Sequence, residues 1–106
     1  MVHIFHYTHK SGFNGIRSQP TWTFLASEPP CENPVGAYFT NLDKNTPLLA
    51  RKLGISREKL EFIFSFADVG DLRPLRGDRG RFIFYSPDDY RVGPDRKIDS
   101  GPTGHR

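Results

Sequence analysis

Hydrophobic and polar positions alternate most regularly over residues 59–69, KLEFIFSFADV, where Leu60, Phe62, Phe64 and Phe66 fall on one side of an extended chain. A period of two is the pattern of a strand with one buried face. Residues 2–8, VHIFHYT, have the same β-branched and aromatic character. In a strand there, Ile4, His6 and Thr8 share one face, while His3, Phe5, Tyr7 and His9 share the other. Further strands are expected at 21–27 (TWTFLAS), at 37–41 (AYFTN), at 81–86 (RFIFYS) and, after Pro87, at 88–92 (DDYRV).

Two segments change period. KSGFNGIRSQP predicts a short helix with Ser11 as N-cap, Phe13 and Ile16 on one face, and Pro20 blocking extension. Around 47–53, Thr46 as N-cap, Pro47 in the first turn, an apolar stripe of Leu48, Leu49 and Leu53, basic Arg51 and Lys52, and Gly54 beyond the end predict the second helix. A further turn is expected at 56–59. Residues 28–36, EPPCENPVG, read as a loop, and GDLRPLRGDRG (70–80) as an arginine-rich connection. From Gly93 to the end only one aliphatic residue occurs, so 93–106 is expected to be a flexible tail beyond a single domain at 1–92. The order strand, helix, strand, strand, helix, strand, strand, strand predicts an α+β fold built mainly of antiparallel strands.

Composition narrows this picture in three ways. A chain of 106 residues supports one hydrophobic core. Nine Phe and four Tyr favour a core of rings on strands, which disfavours an all-helical bundle. A net charge of +3 suits an anionic partner without choosing among nucleic acid, phosphorylated small molecules and mere solubility. Cys31 has no second cysteine to pair with, and no apolar run approaches bilayer length, so the expected setting is the cytoplasm, with no membrane partner.

His3, His6, His9 and Cys31 could supply zinc ligands, but a strand divides these histidines between two faces, so no metal site is expected. Cys31 as a nucleophile lacks any surrounding signature. RGRFIFYS has the basic, glycine and aromatic look of an RNA-binding strand, except that Arg81 stands where such a strand carries a ring. A small basic RNA-binding domain without catalysis therefore stays open, as does a protein-interaction domain.

Three separated stretches carry a sharper pattern: HYTHKSGFNGI, NPVGAYFTN, and EFIFSFADV followed by RFIFY. Together they resemble the ADP-ribosyltransferase superfamily, and most closely its small bacterial toxin domains named for a His, Tyr, Asp signature. The resemblance implies a split antiparallel sheet with two short helices and an NAD cleft, with NAD consumed as substrate. It implies that His6 contacts a ribose hydroxyl, that Tyr7, Thr8, Gly36 and Phe39 line the ligand, and that Tyr38 lies against the nicotinamide ring, whose positive charge an aromatic face attracts. Cleaving the nicotinamide–ribose bond passes through a cation-like sugar, so a carboxylate is wanted. Arg81 occupies the place where related polymerases carry a glutamate, which leaves Asp68 as the expected acid, with Asp71, Asp78 and Asp89 as further candidates. Arg73, Arg76, Arg79 and Arg81 could bind the pyrophosphate or an anionic acceptor. The implied activity is transfer of ADP-ribose to a protein, an RNA or water by a toxin or effector module, with an immunity or inhibitor protein as a further partner.

Overall fold

The structure, a computed structural model, describes residues 3–26 and 35–104. Eight strands and two helices follow in the order β1 (His3–Thr8), α1 (Lys10–Arg17), β2 (Trp22–Phe24), β3 (Ala37–Thr40), α2 (Leu49–Leu53), β4 (Phe62–Ala67), β5 (Arg73–Pro74), β6 (Ile83–Ser86), β7 (Tyr90–Val92) and β8 (Lys97–Pro102). Short 3-10 turns at Arg57–Leu60 and Asp78–Arg81 lead into β4 and β6. The strands form a six-stranded sheet in the order β5-β6-β3-β1-β4-β8 and a two-stranded sheet of β2 and β7. Every pairing is antiparallel. The fold is thus α+β with a mostly antiparallel sheet, as the periodicity predicts.

The alternation in β1 and β4 determines which face each ring buries. His6 opposes Phe64 and Ile4 opposes Phe66, whereas Tyr7 opposes Ile63. Ile4, Phe64 and Phe66 enter the larger core, where α1 contributes Phe13 and the β2–β7 layer contributes Trp22, Phe24, Tyr90 and Val92. Tyr7 and Ile63 enter a smaller core on the opposite face, under Leu49 of α2 and Leu60. Among the described residues fourteen buried apolar side chains make up these two cores, at a buried aliphatic or aromatic side chain's worth of about 1.5–3 kcal/mol each.

Four expectations are corrected. The α1 cap is His9, whose Nδ1 accepts from Gly12 N at 3.1 Å; Ser11 lies inside the helix and bonds the same nitrogen at 2.9 Å. Helix α2 begins only at Leu49, because Thr46 closes a turn on Asp43 and Leu48 takes a left-handed conformation with φ 56°. Arg81 belongs to a 3-10 turn and not to β6. The expected tail contains β8, which pairs along β4 from Phe62↔Pro102 to Phe66↔Lys97. Backbone pairing and two cations hold β8 in place, so its low hydrophobicity concealed it: Arg96 donates from Nε and Nη2 to Ala67 O, and Lys97 Nζ donates to Pro20 O at 2.6 Å. The loop expected at 28–36 falls mostly outside the described residues, Cys31 included. Among the described residues no helix is long and apolar enough to cross a membrane.

Candidate functional site

The three N-terminal histidines have separate fates. His3 is exposed, His9 caps α1, and only His6 enters the seam between the two sheets. Its imidazole packs against Phe24 of β2 at 4.6 Å, Phe39 of β3 at 5.5 Å and Phe64 of β4 at 6.5 Å between ring centroids. Nδ1 lies 2.9 Å from the carbonyl oxygen of Tyr38. A carbonyl only accepts, so Nδ1 carries the proton and donates it, which leaves Nε2 with a lone pair. Desolvation by the surrounding rings lowers the imidazole from its ordinary 6.5 to about 4, against the opposing pull of the Tyr38 carbonyl. His6 is therefore neutral at physiological pH.

His6 is half-buried as a residue although its ring is desolvated. Among the described residues Nε2 has no hydrogen-bond partner, and the ring that carries it is enclosed by Phe24, Phe39 and Phe64. A neutral imidazole with a fixed tautomer and an unengaged acceptor nitrogen can accept a hydrogen bond from a hydroxyl.

Thr8 follows on the same face at the end of β1, opposite Phe62. Gly12 brings the start of α1 against it: a Cβ on Gly12 would collide with Thr8 Oγ1. Gly36 plays the equivalent part ahead of β3, where a Cβ would stand 2.5 Å from Ser86 O. Gly12 lets the helix start approach the Thr8 hydroxyl, and Gly36 lets backbone approach backbone, where a side chain would not fit.

The remaining residues named from the sequence are distributed more widely. Phe39 is buried and touches the His6 ring. Tyr7 is buried on the opposite face, its hydroxyl donating to Leu42 O at 2.7 Å, and burial pushes the phenol well above its ordinary value. Tyr38 meets His6 through its backbone only. Alternation along β3 sends its ring to the face opposite Phe39, where it stacks on Tyr85 of β6 at 5.8 Å and 23°. Asp68 follows β4 at the end near His3, four residues from the partner of His6, which is about 13 Å along an extended chain. There its Oδ1 accepts from Gly70 N at 2.9 Å and closes a turn. Arg81 is exposed, with its carbonyl accepting from Asn41 Nδ2 at 3.1 Å. The Arg79 side chain lies outside what is described.

Of the other aspartates, Asp71 accepts from the Tyr90 hydroxyl at 2.6 Å, in a cluster with Arg96. Asp78 opens the turn before β6. Asp89 is the one carried by the layer that covers His6. It directly precedes β7, whose Tyr90 opposes Phe24, and its Oδ1 accepts from Ala26 N at 2.8 Å. The sequence signal for it was slight: an acidic pair after Pro87 and before a short strand.

A concave surface of about 720 Å³ lies away from the seam, between Lys44, Arg51, Arg57 and Thr103. Comparison with protein-family models, curated proteins and solved structures gives no match to the chain.

Proposed function

We propose that this chain is an NAD-consuming enzyme of the ADP-ribosyltransferase type. It cleaves the nicotinamide–ribose bond, passes ADP-ribose to a protein, an RNA or water, and works in the cytoplasm as a toxin or effector module. The observation that carries the reading is the His6 imidazole in the seam between the sheets: neutral, fixed by the Tyr38 carbonyl, and with Nε2 unengaged among the described residues. The two stretches that suggest NAD from the sequence, HYT and GAYFT, are the ones this bond joins. With Nδ1–H engaged, His6 accepts from a ribose hydroxyl and does not donate to it.

Phe24 and Phe39, both buried, pack against the imidazole and hold its orientation. Asp89, on the covering layer, replaces Asp68 as the favoured carboxylate for stabilising positive charge developing on the sugar. Tyr38 serves through its carbonyl, holding the His6 tautomer, ahead of any contact by its ring. The exposed Arg73, Arg76 and Arg81 are available to the pyrophosphate or to an anionic acceptor.

The deciding experiment incubates the purified chain with NAD and follows nicotinamide release, with and without protein and RNA acceptors, against His6→Ala. Absence of both NAD binding and turnover in every arm rejects the reading. A second reading, RNA binding without catalysis, rests on a row across three neighbouring strands: Tyr38 opposes Tyr85, and Tyr85 opposes Arg73. Stacked rings beside a guanidinium suit single-stranded bases. It predicts salt-sensitive RNA binding lost on Tyr85→Ala with NAD left intact.

A further inference from the structure

Away from the His6 seam, the groove of about 720 Å³ is bounded by Lys44, Arg51 of α2 and Arg57 of the following 3-10 turn, with Leu48, Leu49 and Leu60 among its apolar walls. Among the described residues no carboxylate lines it. Arg51 and Arg57 make no ion pair among the described residues. We infer that this groove is a docking site for an acidic protein segment bearing aliphatic side chains, with the guanidiniums of Arg51 and Arg57 taking carboxylates and Leu48 packing on an aliphatic anchor.

The chemistry of the walls selects this partner over other anions. Among the described residues no aromatic ring lines the groove to stack a nucleobase. The hydroxyls that could bind a compact phosphate are committed elsewhere: Thr46 Oγ1 donates to Asp43 Oδ1, and Thr103 Oγ1 donates to Leu60 O. The unpaired guanidiniums stand over an aliphatic floor. Guanidiniums bind carboxylates in two parallel hydrogen bonds, and their stems leave apolar surface between them.

Leu48 adds an independent observation. It is 67% exposed, and it is the one described non-glycine residue with positive φ. A leucine held in a conformation its side chain disfavours, and turned outward at the rim of a cationic groove, is an anchor suited to a partner. None of these residues belongs to the His6 seam, so the docking site stands whether or not the chain consumes NAD.

The test titrates the full chain with a synthetic peptide of Glu and Leu and follows backbone amide shifts by NMR. Expected are saturable shifts over residues 44–51, at Arg57 and at Thr103. Binding should weaken at least about tenfold in Arg51→Glu/Arg57→Glu, while Arg17→Glu on α1 leaves it unchanged. Both reversed residues are exposed, so the fold is retained, and the double variant should instead bind the same peptide with Lys in place of Glu. The inference is overturned if shifts are diffuse or centre on 73–81. It is equally overturned if Ser in place of Leu leaves affinity intact, or if an oligothymidylate occupies the groove more tightly than the acidic peptide.

Discussion

His6 is where burial and chemistry meet in one side chain, and its protonation has a measurable sign. Its folded value, about 4, lies below the ordinary 6.5, so between these limits the unfolded chain binds the proton that the folded chain refuses. Stability contributed by neutral His6 is therefore complete above pH 6.5 and falls as pH drops towards 4, by up to about 3 kcal/mol. Chemical denaturation of the chain and of His6→Gln across this range should show a shallower acid limb for the variant; parallel limbs would mean that the ring is not desolvated. The same residue sets the catalytic expectation. His6→Ala should lower nicotinamide release by about a hundredfold or more, and Asp89→Asn by a similar factor, whereas Asp68→Asn should leave it within about twofold, since that carboxylate closes a turn remote from the seam. Equal losses for the two aspartates would remove the reason for preferring Asp89.

Between residues and elements, legibility in the sequence followed hydrophobic contrast. The Phe62 to Phe66 alternation and the split of His6 from Tyr7 are both visible as a period of two and are found in the sheet. Leu60, expected on the same face as Phe64, instead ends a 3-10 turn and packs in the smaller core on the opposite side. Elements tied by polar groups were not visible. In β8 the only aliphatic side chain, Ile98, is 42% exposed, so no apolar face announces the strand. Cap choice was misread at His9 because Ser is the commoner cap, while only three-dimensional placement brings His9 Nδ1 to Gly12 N. The site failed in a similar way: strand alternation could have turned the Tyr38 ring from the His6 face, but only the register of β2 with β7 sets Asp89 beside Ala26 on the covering layer. The polar tie most open to test is the Tyr90 cluster. The Tyr90 hydroxyl donates to Asp71 and accepts from Arg96 Nη2 at 2.7 Å, and burial together with Asp71 raises this phenol to about 12. Removing one partner leaves the others short of a hydrogen bond in a half-buried setting. Tyr90→Phe should cost about 1–3 kcal/mol in urea unfolding, against less than about 0.5 kcal/mol for Arg91→Ala on the exposed side of the same strand.

At the scale of the whole molecule, β8 decides whether the six-stranded sheet ends in a protected edge. Without it, β4 becomes the edge, and β4 carries Phe64 and Phe66, both fully buried in the larger core. The covering segment also ties distant parts together. Lys97 Nζ sits 4.9 Å from the Trp22 ring and bonds the carbonyl oxygens of Gln19 and Pro20, joining the α1–β2 link to the sheet edge, while the Arg96 guanidinium lies over Phe66 and Tyr90. Ending the chain after Gly93 removes all of these at once and leaves a row of unpaired backbone donors and acceptors beside a hydrophobic strand, the arrangement that templates edge-to-edge association. The shortened chain should therefore elute as aggregates in size-exclusion chromatography and lose its cooperative thermal transition. A narrower change separates pairing from cation contacts: Lys97→Met/Arg96→Met keeps the β8 backbone and should yield a monomer that melts several degrees lower but still cooperatively. If the chain ending at Gly93 instead folds as a monomer with an unchanged melting temperature, the sheet is complete at five strands and β8 is an appendage.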